Sequence, residues 1–184
     1  MLKFSMLSAG RGSNFGAIMQ RIASKELIAE CISLITLPGS KAVDIANKYE
    51  IPVRLIDGDN LLAILQSENP DLVVMSGYMR KIPENIFEHF ENKILNIHPS
   101  LLPAFGGKGC YGMHVHKKVL EAGVETTGVT VHFVNKDYDA GKIITQSAVP
   151  VLPGDTPEIL AERVLQEEHN IYWQVLRDFS KFQI

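Results

Sequence analysis

An asparagine and a histidine two residues apart, Asn96 and His98, are the pair in this 184-residue chain best suited to chemistry. They lie in Lys93-Ile94-Leu95-Asn96-Ile97-His98-Pro99, where the apolar run from Ile94 to Ile97 reads as a short strand. Side chains two apart on a strand point the same way, so the amide and the imidazole emerge on one face. Pro99 ends the strand, having no N–H to give to the ladder. The pair therefore falls at the carboxyl end of a strand, where open parallel sheets bind ligands. There an amide N–H can hold a developing oxyanion while an imidazole moves a proton or adds positive charge, which suits acyl-type transfer. The competing reading is a strand-end pair that only satisfies local backbone groups.

A second feature lies near the start. Gly10-Arg11-Gly12-Ser13-Asn14 joins an apolar strand over residues 3–7 to a helix whose Phe15, Ile18, Met19 and Ile22 recur on one face. A glycine turn opening a helix is a ready anion site: backbone N–H groups can approach a phosphate, and the helix dipole favours negative charge. Ser13 and Asn14 can add side-chain donors or cap the helix. The dinucleotide fingerprint G-x-G-x-x-G is not met, because Phe15 stands where the third glycine belongs, so a mononucleotide-like phosphate fits better than NAD.

The elements needed to hold these two features follow in alternation. Strands are expected over 31–37, 52–56 and 71–75, with helices over 41–49, 60–67 and 83–90 between and after them, and the continuous apolar run at 71–75 marks a buried parallel strand. This rhythm defines an α/β, doubly wound, mostly parallel sheet. Gly77-Tyr78-Met79-Arg80-Lys81-Ile82 lies past the 71–75 strand end, beside the Asn96–His98 strand. Residues 104–113, with glycines at 106, 107, 109 and 112, read as a mobile loop over the site. A helix over 114–122 precedes strands over 127–134 and 142–151, joined directly, hence an antiparallel C-terminal addition to the sheet. A long helix runs from Thr156 to about Phe179, with Pro157 at its first turn. No linker or repeat divides the chain, so residues 1–184 are expected to form one domain.

Composition narrows the partners. A net charge of −3 with no basic block argues against nucleic acid, and no apolar run reaches membrane-spanning length. Two cysteines, Cys31 and Cys110, show no metal or redox spacing and suit a reducing, cytoplasmic compartment, with Cys31 read as strand packing. His114, His116 and His132 invite a metal reading, but the His114–His116 pair opens a helix, where residues two apart diverge, so no metal is expected. His132 reads as a strand-face residue. The expected partners are small molecules, bound by a monomer or homodimer.

These motifs together resemble the glycinamide ribonucleotide formyltransferases, within the folate-dependent formyltransferase family, and the likeness covers nearly the whole chain. It rests on Gly10-Arg11-Gly12-Ser13-Asn14, on Asn96-Ile97-His98-Pro99-Ser100-Leu101-Leu102-Pro103, on His116, on the segment from Gly128 to Val134 followed by Asp139-Ala140-Gly141, and on Gln166-Glu167-Glu168-His169. The resemblance implies a Rossmann-like formyltransferase fold and formyl transfer from 10-formyltetrahydrofolate to glycinamide ribonucleotide in purine biosynthesis. It implies Asn96, His98 and Asp139 as the catalytic set, with Asp139 holding His98 in its charged form. It implies Gly10, Arg11, Gly12, Ser13 and Asn14 on the substrate phosphate, Glu168 on its ribose, and His116 as a supporting neighbour of His98. Tyr78, Met79, Arg80, Lys81 and Ile82, with Asn96, would meet the folate. Two departures stand out: residues 57–67 lack the arginine-bearing helix common in the family, and the loop carrying Lys108 and Tyr111 is longer than in many relatives.

Other classes remain open on the residues alone. The methionyl-tRNA formyltransferase and formyltetrahydrofolate hydrolase share the Asn–His–Asp set, but the first should carry a basic C-terminal domain and the second an N-terminal regulatory one. A nonenzymatic nucleotide-binding module would use only the glycine turn.

Overall fold

In a computed structural model, which describes residues 1–182, the elements follow the expected alternation. They are β1 (Leu2–Leu7), α1 (Ser13–Ala23), β2 (Ala29–Thr36), α2 (Ala42–Lys48), β3 (Val53–Leu55), α3 (Leu61–Glu68), β4 (Leu72–Met75), α4 (Glu84–Phe90), β5 (Ile94–His98), α5 (Met113–Glu121), β6 (Thr126–Phe133), β7 (Ile143–Pro150) and α6 (Pro157–Phe182). Most boundaries differ from the sequence expectation by one or two residues, as fraying ends do, and α6 continues three residues beyond Phe179.

The seven strands form one sheet in the order β3-β2-β1-β4-β5-β6-β7. β1 pairs in parallel with β2 and β4, β2 with β3, and β4 with β5. β6 and β7 add antiparallel, as expected from their direct connection. The order runs one way from β1 through β2 to β3 and the other way from β4 to β5, so the crevice where it reverses lies at the carboxyl ends of β1 and β4.

Strand alternation distributes two cores across the sheet. Phe4, Met6, Leu72, Val74, Leu95 and Ile97 face α1, α2 and α6, packing on Phe15, Ile18, Ala42, Ala46, Tyr172 and Leu176. Leu7, Val73, Met75 and Ile94 face the other way, onto Leu61 and Leu65 of α3 and Ile86 and Phe90 of α4. Because Ile94 belongs to this second layer, Asn96 and His98, two and four residues on, share its face. A third cluster packs Val115 and Val119 of α5 against Val129, Val149, Leu160 and Val164. Cys31 packs in the first core, and burial pushes its thiol up to about 12.

Candidate functional site

The carboxyl ends of β1, β4 and β5 open into a cleft of about 620 Å³. Every residue expected to meet substrate or folate lines it: Gly10 to Asn14, Tyr78 to Ile82, Asn96, His98, Asp139 and Glu168. His116 does not line it, but is buried close enough for the charge of His98 to act on it. Burial first, and His98 second, depress the His116 imidazole pKa to about 4, and its Nδ1 has no hydrogen-bond partner among the described residues. His116 is therefore a neutral ring packed behind the site at neutral pH.

The glycine turn is built differently from the capped helix start that Ser13 and Asn14 suggest. Gly12 is itself the N-cap, at φ 75°, and no side chain caps α1. That left-handed conformation and the tight contact with α2 both require glycine: a Cβ there would stand 2.9 Å from the Ala42 Cβ. Asn14 is buried and reaches inward instead, its Nδ2 donating to Ser76 Oγ at 3.0 Å and to Glu168 Oε2 at 2.6 Å. Glu168 consequently sits in the wall of the cleft, and burial raises its carboxyl to about 7, against the lowering effect of the Asn14 hydrogen bond.

In the same cleft, Asp139 faces two histidines. Its Oδ2 lies 3.5 Å from His98 Nδ1, and its Oδ1 lies 3.8 Å from His132 Nε2. The loop after β6 holds it there: Gly141 is so close to the Phe133 carbonyl that no Cβ fits, and Asp139 itself adopts φ 53°. Left-handed backbone at a non-glycine residue costs about 1–3 kcal/mol and is found where the surroundings over-determine it.

His132 is the site residue that reading the sequence as a strand-face position misses. It stands directly opposite Asn96 in the antiparallel β5–β6 pair and is fully buried. Its Nδ1 lies 2.8 Å from the Phe133 carbonyl, which can only accept, so Nδ1 carries the hydrogen. Nε2 is then the acceptor for the Asn96 amide at 3.3 Å, and burial lowers the His132 pKa, keeping the ring in this neutral form. One Asn96 amide hydrogen is thereby fixed on His132, and the other is left for the cleft.

The 104–113 stretch, expected as a mobile loop over the site, is folded into turns against it. The Phe105 carbonyl lies 3.0 Å from His98 Nε2, so Nε2–H donates to it, and the Gly107 N–H donates to Asp139 Oδ2 at 2.9 Å. His98 thus has one nitrogen on the loop backbone and the other facing Asp139. The turn before this loop is pinned by Thr130, whose hydroxyl donates to the Ser100 carbonyl at 2.7 Å and accepts from the Leu102 N–H at 3.0 Å.

Of the residues expected at the folate, Tyr78 and Ile82 are buried in the second core, and burial raises the Tyr78 hydroxyl pKa. Met79 is half exposed, and Arg80 and Lys81 point to the surface, Lys81 pairing with Glu84 at 3.4 Å. Among the described residues, no cluster of three or more histidine, cysteine, aspartate or glutamate side chains could hold a metal, and no helix is long and apolar enough to cross a membrane.

A doubly wound sheet with an amide and an imidazole on β5 and a carboxylate brought to them by the loop after β6 defines a class. Residues 2–176 match the family model described as formyl transferase, and the chain belongs to that family. Within it, the chain is similar to the chloroplastic phosphoribosylglycinamide formyltransferase of Arabidopsis thaliana, with 41% identity over 95% of this chain and 64% of that protein. It is also similar to the phosphoribosylglycinamide formyltransferase of Bacillus subtilis, with 32% identity over 96% of this chain and 94% of that one. The chain thus spans somewhat less than two thirds of the plant relative. Among solved structures, glycinamide ribonucleotide transformylase 1 from Symbiobacterium toebii superposes with a TM-score of 0.91 and 36% identity, covering 98% of this chain and 88% of that one. The mostly parallel sheet with antiparallel C-terminal strands is the fold of these transformylases.

Proposed function

We propose that this chain transfers a formyl group from 10-formyltetrahydrofolate to the amine of 5-phosphoribosyl glycinamide, a step of de novo purine biosynthesis. The observation that carries this reading is that one cleft is lined both by a glycine-containing helix start and by the Asn96–His98–Asp139 set. An anion site and an oxyanion site share a single cavity, as a phosphorylated acyl acceptor requires. The names of the relatives support the same acceptor.

In this reading the substrate phosphate rests on the backbone N–H groups of Gly10 to Asn14, with Arg11 adding charge, and Glu168 meets the ribose. The formylfolate enters past Tyr78 to Ile82 and the 135–139 loop, with Asn96 at the formyl group. The neutral amine attacks the formyl carbon, and the carbonyl electron pair moves to oxygen as the new C–N bond forms. The free Asn96 amide hydrogen stabilises that oxyanion, and His98 adds a second donor when the Phe105 carbonyl yields its Nε2–H. Collapse of the intermediate breaks the bond to the folate nitrogen, which takes up the proton lost by the amine. Asp139 orients the His98 ring through the approach of its Oδ2 to Nδ1.

The test is a formyl-transfer assay with glycinamide ribonucleotide, methionyl-tRNA and water as competing acceptors. Transfer to the ribonucleotide alone is expected. Phosphate-ligand binding without any turnover would instead indicate a nucleotide-binding module.

A further inference from the structure

Tyr172 is one of the largest fully buried side chains of the protein, and nothing in the reaction described above uses it. Its hydroxyl crosses from α6 to the sheet, donating to the Met75 carbonyl at 2.7 Å, with the Leu95 carbonyl 3.2 Å away as a second acceptor. These carbonyls belong to the residues just before Ser76 and Asn96: Met75 is the last residue of β4, and Leu95 lies within β5. Glu168 lies one helical turn before Tyr172 on the same side of α6.

The contacts close into a circuit. Tyr172 holds Met75; Ser76, next in the chain, accepts from the Asn14 amide at 3.0 Å; the same amide donates to Glu168 Oε2 at 2.6 Å; and Glu168 returns to Tyr172 through one turn of helix. Among the described residues, the other α6 side chain that hydrogen-bonds to the sheet is Arg163, which donates to the Pro150 carbonyl at the end of β7 at 2.9 Å, nine residues before Tyr172 and in a part of the helix remote from Asn14 in the circuit. Apolar packing is non-directional and leaves the helix some freedom to turn about its axis, whereas a hydrogen bond to a fixed carbonyl does not.

We propose that Tyr172 is a positioning residue for the acceptor half of the site: its hydroxyl sets the rotation of α6, and through it the placement of Glu168 against Asn14. This rests on the assignment of Glu168 and the glycine turn to the ribose phosphate. The branch to Leu95 carries the same constraint to the strand that bears Asn96.

The test compares Tyr172→Phe, which keeps the ring and removes the hydroxyl, with Leu160→Ala, which weakens α6 packing in a different cluster. Ribose 5-phosphate is titrated calorimetrically into each, and steady-state constants for both substrates are measured in parallel. Tyr172→Phe should raise Kd for ribose 5-phosphate and KM for the ribonucleotide about three- to tenfold, the range of one buried hydrogen bond, and leave KM for the formylfolate within about twofold. In a Glu168→Gln background the same substitution should add little, since it acts through Glu168. A ligand-free measurement separates this from the reading of the reaction: the Asn14 side-chain amide resonances should shift in Tyr172→Phe toward their positions in Glu168→Gln, and stay in place in Leu160→Ala. Unmoved resonances, or equal effects of Tyr172→Phe and Leu160→Ala at matched loss of thermal stability, overturn the proposal. Absent turnover in the wild type, with the resonance shift present, would sink the assigned reaction and leave the positioning role standing.

Discussion

Glu168 gives the site a measurable cost in stability. Burial lifts its carboxyl from 4.5 to about 7, so the folded state resists ionising it. The unfolded chain ionises near 4.5, and between the two values the folded state binds more protons than the unfolded one. Stability from this group is therefore highest below the unfolded pKa, declines as pH rises toward 7, and stays low above it. The displacement corresponds to about 3 kcal/mol at most, and the partial contact of the carboxyl with the open cleft lowers the expected figure to about 1–3 kcal/mol. Glu168→Gln keeps the shape and an oxygen for the Asn14 amide but cannot ionise. The variant should be more stable than wild type by this amount at pH above 7, with the gain fading as pH falls, while its affinity for the ribonucleotide drops. Urea unfolding across this range, for both proteins, measures it. A stability difference independent of pH, or one that grows toward acid, would refute the claim that a buried, charge-averse carboxyl stands in the cleft.

Gly12→Ala places a methyl group 2.9 Å from the Ala42 Cβ in a left-handed backbone. It should cost about 1–3 kcal/mol in unfolding free energy and raise KM for the ribonucleotide far more than for the folate; equal losses for both substrates would remove the phosphate from this turn. His132→Phe fills the same space without an acceptor for the Asn96 amide, so kcat should fall about tenfold with little change in either KM, read from initial rates at neutral pH. Because His132 accepts only when neutral, wild-type kcat should also decline where acid protonates it, and that part of the profile should vanish in the variant.

The sequence makes the strand-borne half of the site visible because side-chain order there is enough. The apolar run from Ile94 to Ile97 marks a strand, Pro99 stops the ladder, and the Asn96–His98 face follows from the two-residue period with no knowledge of any neighbour. Gly12 is legible for the same local reason. His132 is not, since its meaning comes from standing opposite Asn96 across an antiparallel register set by long-range pairing. The loop contacts on His98 and Asp139 are also invisible, because they come from the Phe105 carbonyl and the Gly107 N–H, which every residue type possesses. Asn14 carries the signature of a helix cap, but the left-handed Gly12 takes that position and frees Asn14 to cross to Ser76 and Glu168.

Asn96, His98 and Asp139 are proposed to stabilise one oxyanion as a unit, and a double-mutant cycle on formyl transfer to glycinamide ribonucleotide tests this most directly. His98→Ala should lower kcat by about 10²–10³, the value of a single oxyanion donor. Asp139→Asn should lower it by less, with both KM values nearly unchanged. The double variant should be little slower than His98→Ala alone, since Asp139 acts through the ring 3.5 Å away. Full activity in Asp139→Asn, or losses that simply multiply, would contradict the account and leave Asp139 as a residue of the 135–141 turn.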